Sequence, residues 1–236
     1  MGIIIFNGIS SSDLHILVQH PPEYVIPERD YTITHVPGRD GDIAVDNGGW
    51  LNVERTYNLA IDARFDGYSK VAGNVARWLH SSSGYARLED SYEPEYYRMA
   101  MYKSQANISN IFMQAGEFDA TFECKPQRFL KSGLRKLTLT NGSILRNPTL
   151  FNASPKIMVF GSGSGKFTIG NYSVEITNIL DGMIVDCEMQ DAYFGSTNCN
   201  SRIVLDNFPK ILPESNPVTI SGGITKLEVL PRWWTL

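Results

Sequence analysis

Between residues 51 and 65 the chain alternates apolar and polar side chains. Leu51, Val53, Tyr57, Leu59, Ile61, Ala63 and Phe65 fall on one parity, and Asn52, Glu54, Thr56, Asn58, Asp62 and Arg64 on the other, with Ala60 the weak exception. A strand sends successive side chains to opposite faces, so this pattern requires a half-buried antiparallel strand, covered on one side and wet on the other. Arg55 interrupts the apolar parity, which reads as a bend or bulge midway along the strand. The period then changes. Val71, Val75, Trp78 and Leu79 form one stripe at helical spacing, so residues 68–80 are predicted as a helix lying on the preceding sheet, with Asp66 as a possible N-cap and Gly84 as the stop.

The remaining elements are short strands between turn signals. Residues 3–6 form a strand that ends at Asn7-Gly8. Residues 31–36 and 43–45 flank Val36-Pro37-Gly38-Arg39. Proline presets φ at the second position of that turn and glycine accepts positive φ at the third, which is type II chemistry. Strands are also expected at 85–88, 97–103 and 118–125, with 89–95 as a polar hairpin tip. Ser132-Gly133 marks a boundary, giving an N-terminal domain of residues 1–133 and a C-terminal domain of residues 134–236 whose last strand could return to the first domain. In the second half Asn141-Gly142 is a hairpin signal. Strands at 156–160 and 167–169 flank a glycine-rich loop, and five more segments complete an all-β sandwich or jelly roll.

Composition narrows the function. With 42% hydrophobic and 19% charged residues the chain is globular. A net charge of −4 argues against a protein that coats nucleic acid, but does not exclude a pore through which DNA slides, since a weakly acidic lining would not hold the phosphates. Cys124, Cys187 and Cys199 contain no C-x-x-C spacing and read as small buried hydrophobes of a chain that folds in a reducing cytoplasm. The apolar run at residues 3–6 is too short for a signal segment, and no stretch approaches the ~20 apolar residues of a membrane span, so neither export nor anchoring is expected.

No catalytic constellation emerges. The segment 161–166 fails as a phosphate loop because Phe160 stands where the first glycine is needed and Phe167 where Ser or Thr must follow the lysine. Asp186 and Glu188 share a strand face, as paired glycosidase carboxylates would. Their simpler reading is a solvent face, with Val185, Cys187 and Met189 turned to the core. His15, His20, His35 and His80 make no metal-ligand spacing, and no G-x-S-x-G is present. No cofactor, metal or catalytic residue is expected. At Pro231-Arg232-Trp233-Trp234-Thr235-Leu236 the adjacent indoles point to opposite faces. One enters a core and the other must meet a neighbouring element, a subunit or water.

Asn147-Pro148-Thr149, then 187–193, Asn198, Asn200, Asn207-Phe208-Pro209-Lys210, Ile220-Ser221-Gly222 and the 231–236 segment follow in an order that resembles the siphophage distal tail proteins (Dit), a phage tail protein family. The turn at 36–41 matches the family's early turn. The resemblance covers essentially the whole chain. It implies a mainly β fold: an N-terminal β-sandwich with one α-helix and a projecting hairpin, followed by a C-terminal galectin-like sandwich. It further implies a virion role at the tail tip, assembled in the bacterial cytoplasm. Copies of the chain, six in the family, close a ring that joins the tail tube protein above to the tail-associated hub protein below. Receptor-binding, baseplate and tape measure proteins are further partners, and DNA passes through the channel without specific binding. Pro37, Gly38, Arg39, Arg232, Trp233 and Trp234 are the candidate interface or structural residues. The alternative is a carbohydrate-binding module for adsorption to the host cell wall, although the long C-terminal insertions that carry sugar binding in some family members are missing from this sequence.

Overall fold

The computed structural model describes residues 2–64, 67–111 and 114–236. Phe65, at the end of the alternating run, and the candidate N-cap Asp66 lie outside the described residues. The chain forms two compact units, one of residues up to Arg128 together with Leu236, the other of residues 129–235. The division precedes the Ser132-Gly133 punctuation, which lies in a 3-10 turn, Lys131–Leu134.

In the first unit β1 (Ile4–Phe6) and β2 (Ile9–Ser10) form a hairpin through Asn7 and Gly8. Their φ values of 51° and 79° are both positive, as a two-residue hairpin turn of the primed kind requires. Then come β3 (Ile16–Val18), the separate pair β4 (Arg29–Thr34) and β5 (Ile43–Trp50), and β6 (Val53–Asp62). The helix α1 (Tyr68–Leu79) follows, then β7 (Ala86–Asp90), β8 (Tyr96–Tyr102), β9 (Ser109–Ile111) and β10 (Ala115–Leu130), whose residues up to Arg128 belong to this unit. The sheet runs β2-β1-β7-β8-β10-β6-β3, with β9 added on β10. Gly2 and Val18 exchange two backbone hydrogen bonds of 3.1 and 2.9 Å, so the chain just before β1 meets β3 and the sheet curls around its core. That core gathers Phe6, Tyr57 and Tyr102 around Phe122, at centroid distances of 5.0, 6.0 and 5.6 Å. The helical stripe Val71, Val75, Trp78 and Leu79 is buried in the same cluster.

The alternation predicted for β6 holds residue by residue, and Arg55 causes no bulge. β6 pairs with β10 without a register shift from Asp62 to Val53, and Arg55 lies opposite Phe122 on the buried face. The strand stays regular because the buried charge finds partners, as described below.

The second unit contains β11 (Leu137–Leu139), β12 (Ile144–Asn147), β13 (Lys156–Ile169), β14 (Tyr172–Ile179) and β15 (Met183–Asp186), then β16 (Asp191–Phe194), β17 (Thr197–Asn198), β18 (Ile203–Val204), β19 (Glu214–Leu230) and β20 (Trp234–Thr235). Its strands are ordered β11-β19-β13-β15-β16-β17, with β12 on β19 and β14 joining β13 to β18. The described residues are mainly β with one α-helix, as the residue pattern implies.

Two expectations need correction here. Residues 161–166 are not a loop. They lie within β13, which pairs along most of its length with the equally continuous β19. Glycine makes this possible: a Cβ on Gly223 would lie 1.7 Å from the Ser162 carbonyl oxygen, and one on Gly161, at φ 149°, 2.1 Å from that of Gly223. Nor does Asn141-Gly142 close a hairpin between its flanking strands. Ser143 N–H donates to Thr140 O at 3.0 Å, but only Gly142 has positive φ, 82°. This is the unprimed type II geometry, whose twist does not suit a two-residue hairpin, and β11 and β12 each pair with β19 instead of with each other.

Candidate functional site

The first candidate is the two-stranded sheet β4–β5. Thr32 pairs with Val45, Ile33 with Ala44 and Thr34 with Ile43. Paired residues share a face, so Tyr31, Ile33 and Ala44 lie on one side, and Ile43 and Val45 with two threonines on the other. Neither side is covered: Tyr31 is 51% exposed, Ile33 59%, Val45 53% and Ile43 37%. Polar ties brace the strands. Arg29 binds Asp46 with two nitrogens, its Nη2 at 2.8 Å, and stacks 4.9 Å from Trp50. The Asn47 amide donates to Asp30 at 2.9 Å and Thr32 at 3.0 Å, and His35 meets Asp42 at 2.9 Å. At the tip Arg39 N–H donates to Val36 O at 3.2 Å, with Gly38 at φ 81°; Pro37, Gly38 and Arg39 are all exposed. A lone two-stranded hairpin is marginal in water, and uncovered apolar residues on both faces mark a surface awaiting contact.

Arg232, Trp233 and Trp234 belong to the second unit, and the tip residues to the first. Trp233 is 4% exposed within the second core. Trp234 is half-buried, stacks 4.5 Å from Phe151 and donates from Nε1 to Asn152 O at 2.9 Å. One indole thus lies in the second core and the other against Phe151, although β20 begins only at Trp234 and Trp233 precedes it outside any strand. Arg232, in the left-handed region at φ 57°, binds both oxygens of Asp186 at 2.6 and 2.9 Å. Asp186 was expected on the solvent face with Met189 inward, and the reverse holds: the Asp186 side chain is 1% exposed and Met189 68%. β15 ends at Asp186 and the chain turns, so strand parity stops applying there. Burial pushes the Asp186 carboxyl up, but Arg232 and the backbone N–H groups of Met189 and Glu188 outweigh it and hold the group below the usual carboxylate range. That is the wrong direction for a general acid. Tyr193 is half-buried, with the Lys156 ammonium 5.4 Å from its ring centroid.

Sequence reasoning missed a buried charge cluster in the first unit. Arg55 donates to the Tyr57 hydroxyl at 2.9 Å, to Asp90 at 3.0 Å and to Glu93 at 2.9 Å, and Tyr57 donates to Asp90 at 2.8 Å. Glu93 also receives Arg98 and Arg128, at 2.5 and 2.6 Å. Burial raises the Glu93 pKa, but the surrounding arginines, Arg98 first, bring it below the ordinary value. The signal was present: an arginine on the apolar parity of β6, and carboxylates in the supposed solvent tip at 89–95.

Among the described residues no group of three or more His, Cys, Asp or Glu side chains could hold a metal ion, and no helix is long and apolar enough to cross a membrane. Among the described residues, two curled β units, one α-helix and the β4–β5 hairpin make up a fold that matches a solved phage Dit protein. The solved structure that carries this comparison is SPP1 Dit (gp 19.1), described as a paradigm of the hub adsorption apparatus in phages that infect Gram-positive hosts. Its TM-score to this chain is 0.76, with 100% of both chains covered at 13% identity. At that identity the likeness concerns the fold. No protein-family model and no curated protein sequence matches the chain.

Proposed function

We propose that this chain is a structural distal tail protein of a siphovirus or prophage. Copies of it associate head to tail into a closed ring, six by the family's pattern, at the tail tip. The ring joins the tail tube to the tail-tip hub, where receptor-binding or baseplate proteins and the tape measure protein are further neighbours. It leaves a channel that DNA crosses without specific binding. A heterologous contact that closes on rotation generates such a ring. The N-terminal unit is the ring-forming domain and the C-terminal one the galectin-like sandwich, and the protein works by shape, with no bond broken. The observation that carries this reading is the β4–β5 hairpin, whose two apolar faces are both uncovered in the single chain. A second copy is the partner that would cover them.

Light scattering coupled to size exclusion, with negative-stain microscopy, tests the proposal. The wild-type chain, alone or mixed with its hub partner, should give ring-shaped particles. Ile33→Glu with Val45→Glu should abolish them and leave the melting temperature of the monomer within about 1 °C, as expected of exposed positions. Persistent monomers under both conditions, or rings unaffected by the double substitution, would refute it.

A further inference from the structure

The route into the hairpin carries a second device. Residues 19–28 cross from β3 to β4 as a strap with neither helix nor strand. Backbone hydrogen bonds pin its two ends, Gln19 N–H to Asn58 O and Leu51 N–H to Glu28 O, both 2.9 Å. Between them Pro27 is buried, but Tyr24, Val25 and Ile26 are 55%, 41% and 74% exposed, so apolar burial does little to hold the middle.

Polar contacts converge there instead. The Tyr24 hydroxyl donates to Leu236 O at 3.3 Å, and Arg55 reaches Glu23 O at 3.5 Å. The Arg128 guanidinium packs against both Tyr24 and Tyr96, 4.9 and 4.8 Å from the ring centroids. Its edges are also used: Nη1 donates to Glu93 at 2.6 Å and Nη2 to Leu236 O at 2.7 Å. A planar cation that stacks and forks at once is specific to arginine.

We propose that Arg128 is a latch. It fastens the strap through Tyr24 to the buried Glu93 cluster and so holds the base of the β4–β5 hairpin. The contacts lie within one unit of one chain, so the inference does not depend on ring formation.

Limited digestion of the full chain with a glutamate-specific protease reads the strap directly, because Glu23 and Glu28 lie in it. Tyr24→Ala removes the stacked ring and the hydroxyl from an exposed position, and cleavage at those sites should quicken about tenfold, the loss of one cation–π contact and one hydrogen bond. Arg128→Lys keeps the charge toward Glu93 but loses the fork and the stack, and should do the same. Amide exchange in residues 53–62 should stay at the wild-type rate in both. Strap cleavage as slow as wild type in either variant, or exchange in residues 53–62 rising in step with it, overturns the latch.

Discussion

Replacing Arg232 by alanine leaves Asp186 buried with its main partner gone. The carboxylate would retain the N–H groups of Glu188 and Met189 at 3.2 and 3.4 Å, and Lys156 at 3.9 Å. Removing one member of a buried pair typically costs about 3–5 kcal/mol, since the stranded charge keeps its desolvation penalty. For a unit of this size that lowers the melting temperature by at least about 12 °C. Backbone strain enters separately. Arg232 sits at φ 57°, so Arg232→Gly should be about 1 kcal/mol less damaging than Arg232→Ala. The pH dependence carries a sign. In the wild type the Asp186 pKa is lowered on folding, so its contribution is complete above the unfolded value of about 3.9 and is lost as pH falls through the folded one. In Arg232→Ala the lowering influence of Arg232 is lost while burial remains, so the pKa rises relative to the wild type, and the difference between the proteins should be largest near pH 7 and narrow toward about pH 4. Urea unfolding followed by amide exchange in β13 and β19 measures this within the second unit. Asp186→Asn in the Arg232→Ala background should recover much of the loss. A penalty under about 1 kcal/mol at pH 7, a gap that widens on acidification, or a double variant no better than the single would refute the reasoning.

Gly223→Ala should cost more than about 3 kcal/mol or leave the second unit insoluble, because its Cβ would sit 1.7 Å from the Ser162 carbonyl oxygen; a soluble variant with native melting would show that β13 and β19 can separate there. Glu93→Gln should destabilise the first unit by about 3–5 kcal/mol at neutral pH, and since the wild-type Glu93 pKa is lowered, the gap should close as acid protonates it, a trend acid titration of unfolding would check. Burial pushes the Cys124 and Cys187 thiols up to about 12, so a thiol reagent at pH 8 should label neither until the chain unfolds; labelling on mixing would place them at the surface.

Much of this was legible beforehand because it is local. Period two set which side of β6 faces the core over residues 53–62, though Leu51, on the same apolar parity, precedes the strand and is exposed, and helical spacing picked out the four residues that α1 buries. The φ tolerance of Asn7-Gly8 and of Gly38 placed real turns. The candidate hairpin was half legible: residues 31–36 and 43–45 read as strands around a type II turn, but Tyr31, Ile33, Ile43 and Val45 also suit a half-buried strand. Exposure depends on whether another layer arrives to cover it, and no stretch of β4 or β5 encodes that.

Pairing over long separations was decided only in three dimensions. Arg55 looked like a defect until Asp90 and Glu93 came beneath it, and Asp186 looked like surface until Arg232 closed over it. The glycines at 161–165 suggested a flexible loop because glycine lacks a side chain, and that same lack lets β19 approach closely enough to make them a strand. Asn141-Gly142 specified a turn, but the pairing of both flanking strands with β19, far along the chain, meant that it closes no hairpin. Periodicity and turn chemistry act between neighbours in the chain and can be read from residue order. The partner of a buried charge, and the cover over an apolar face, are set by elements far away in sequence, where only the folded backbone brings them together.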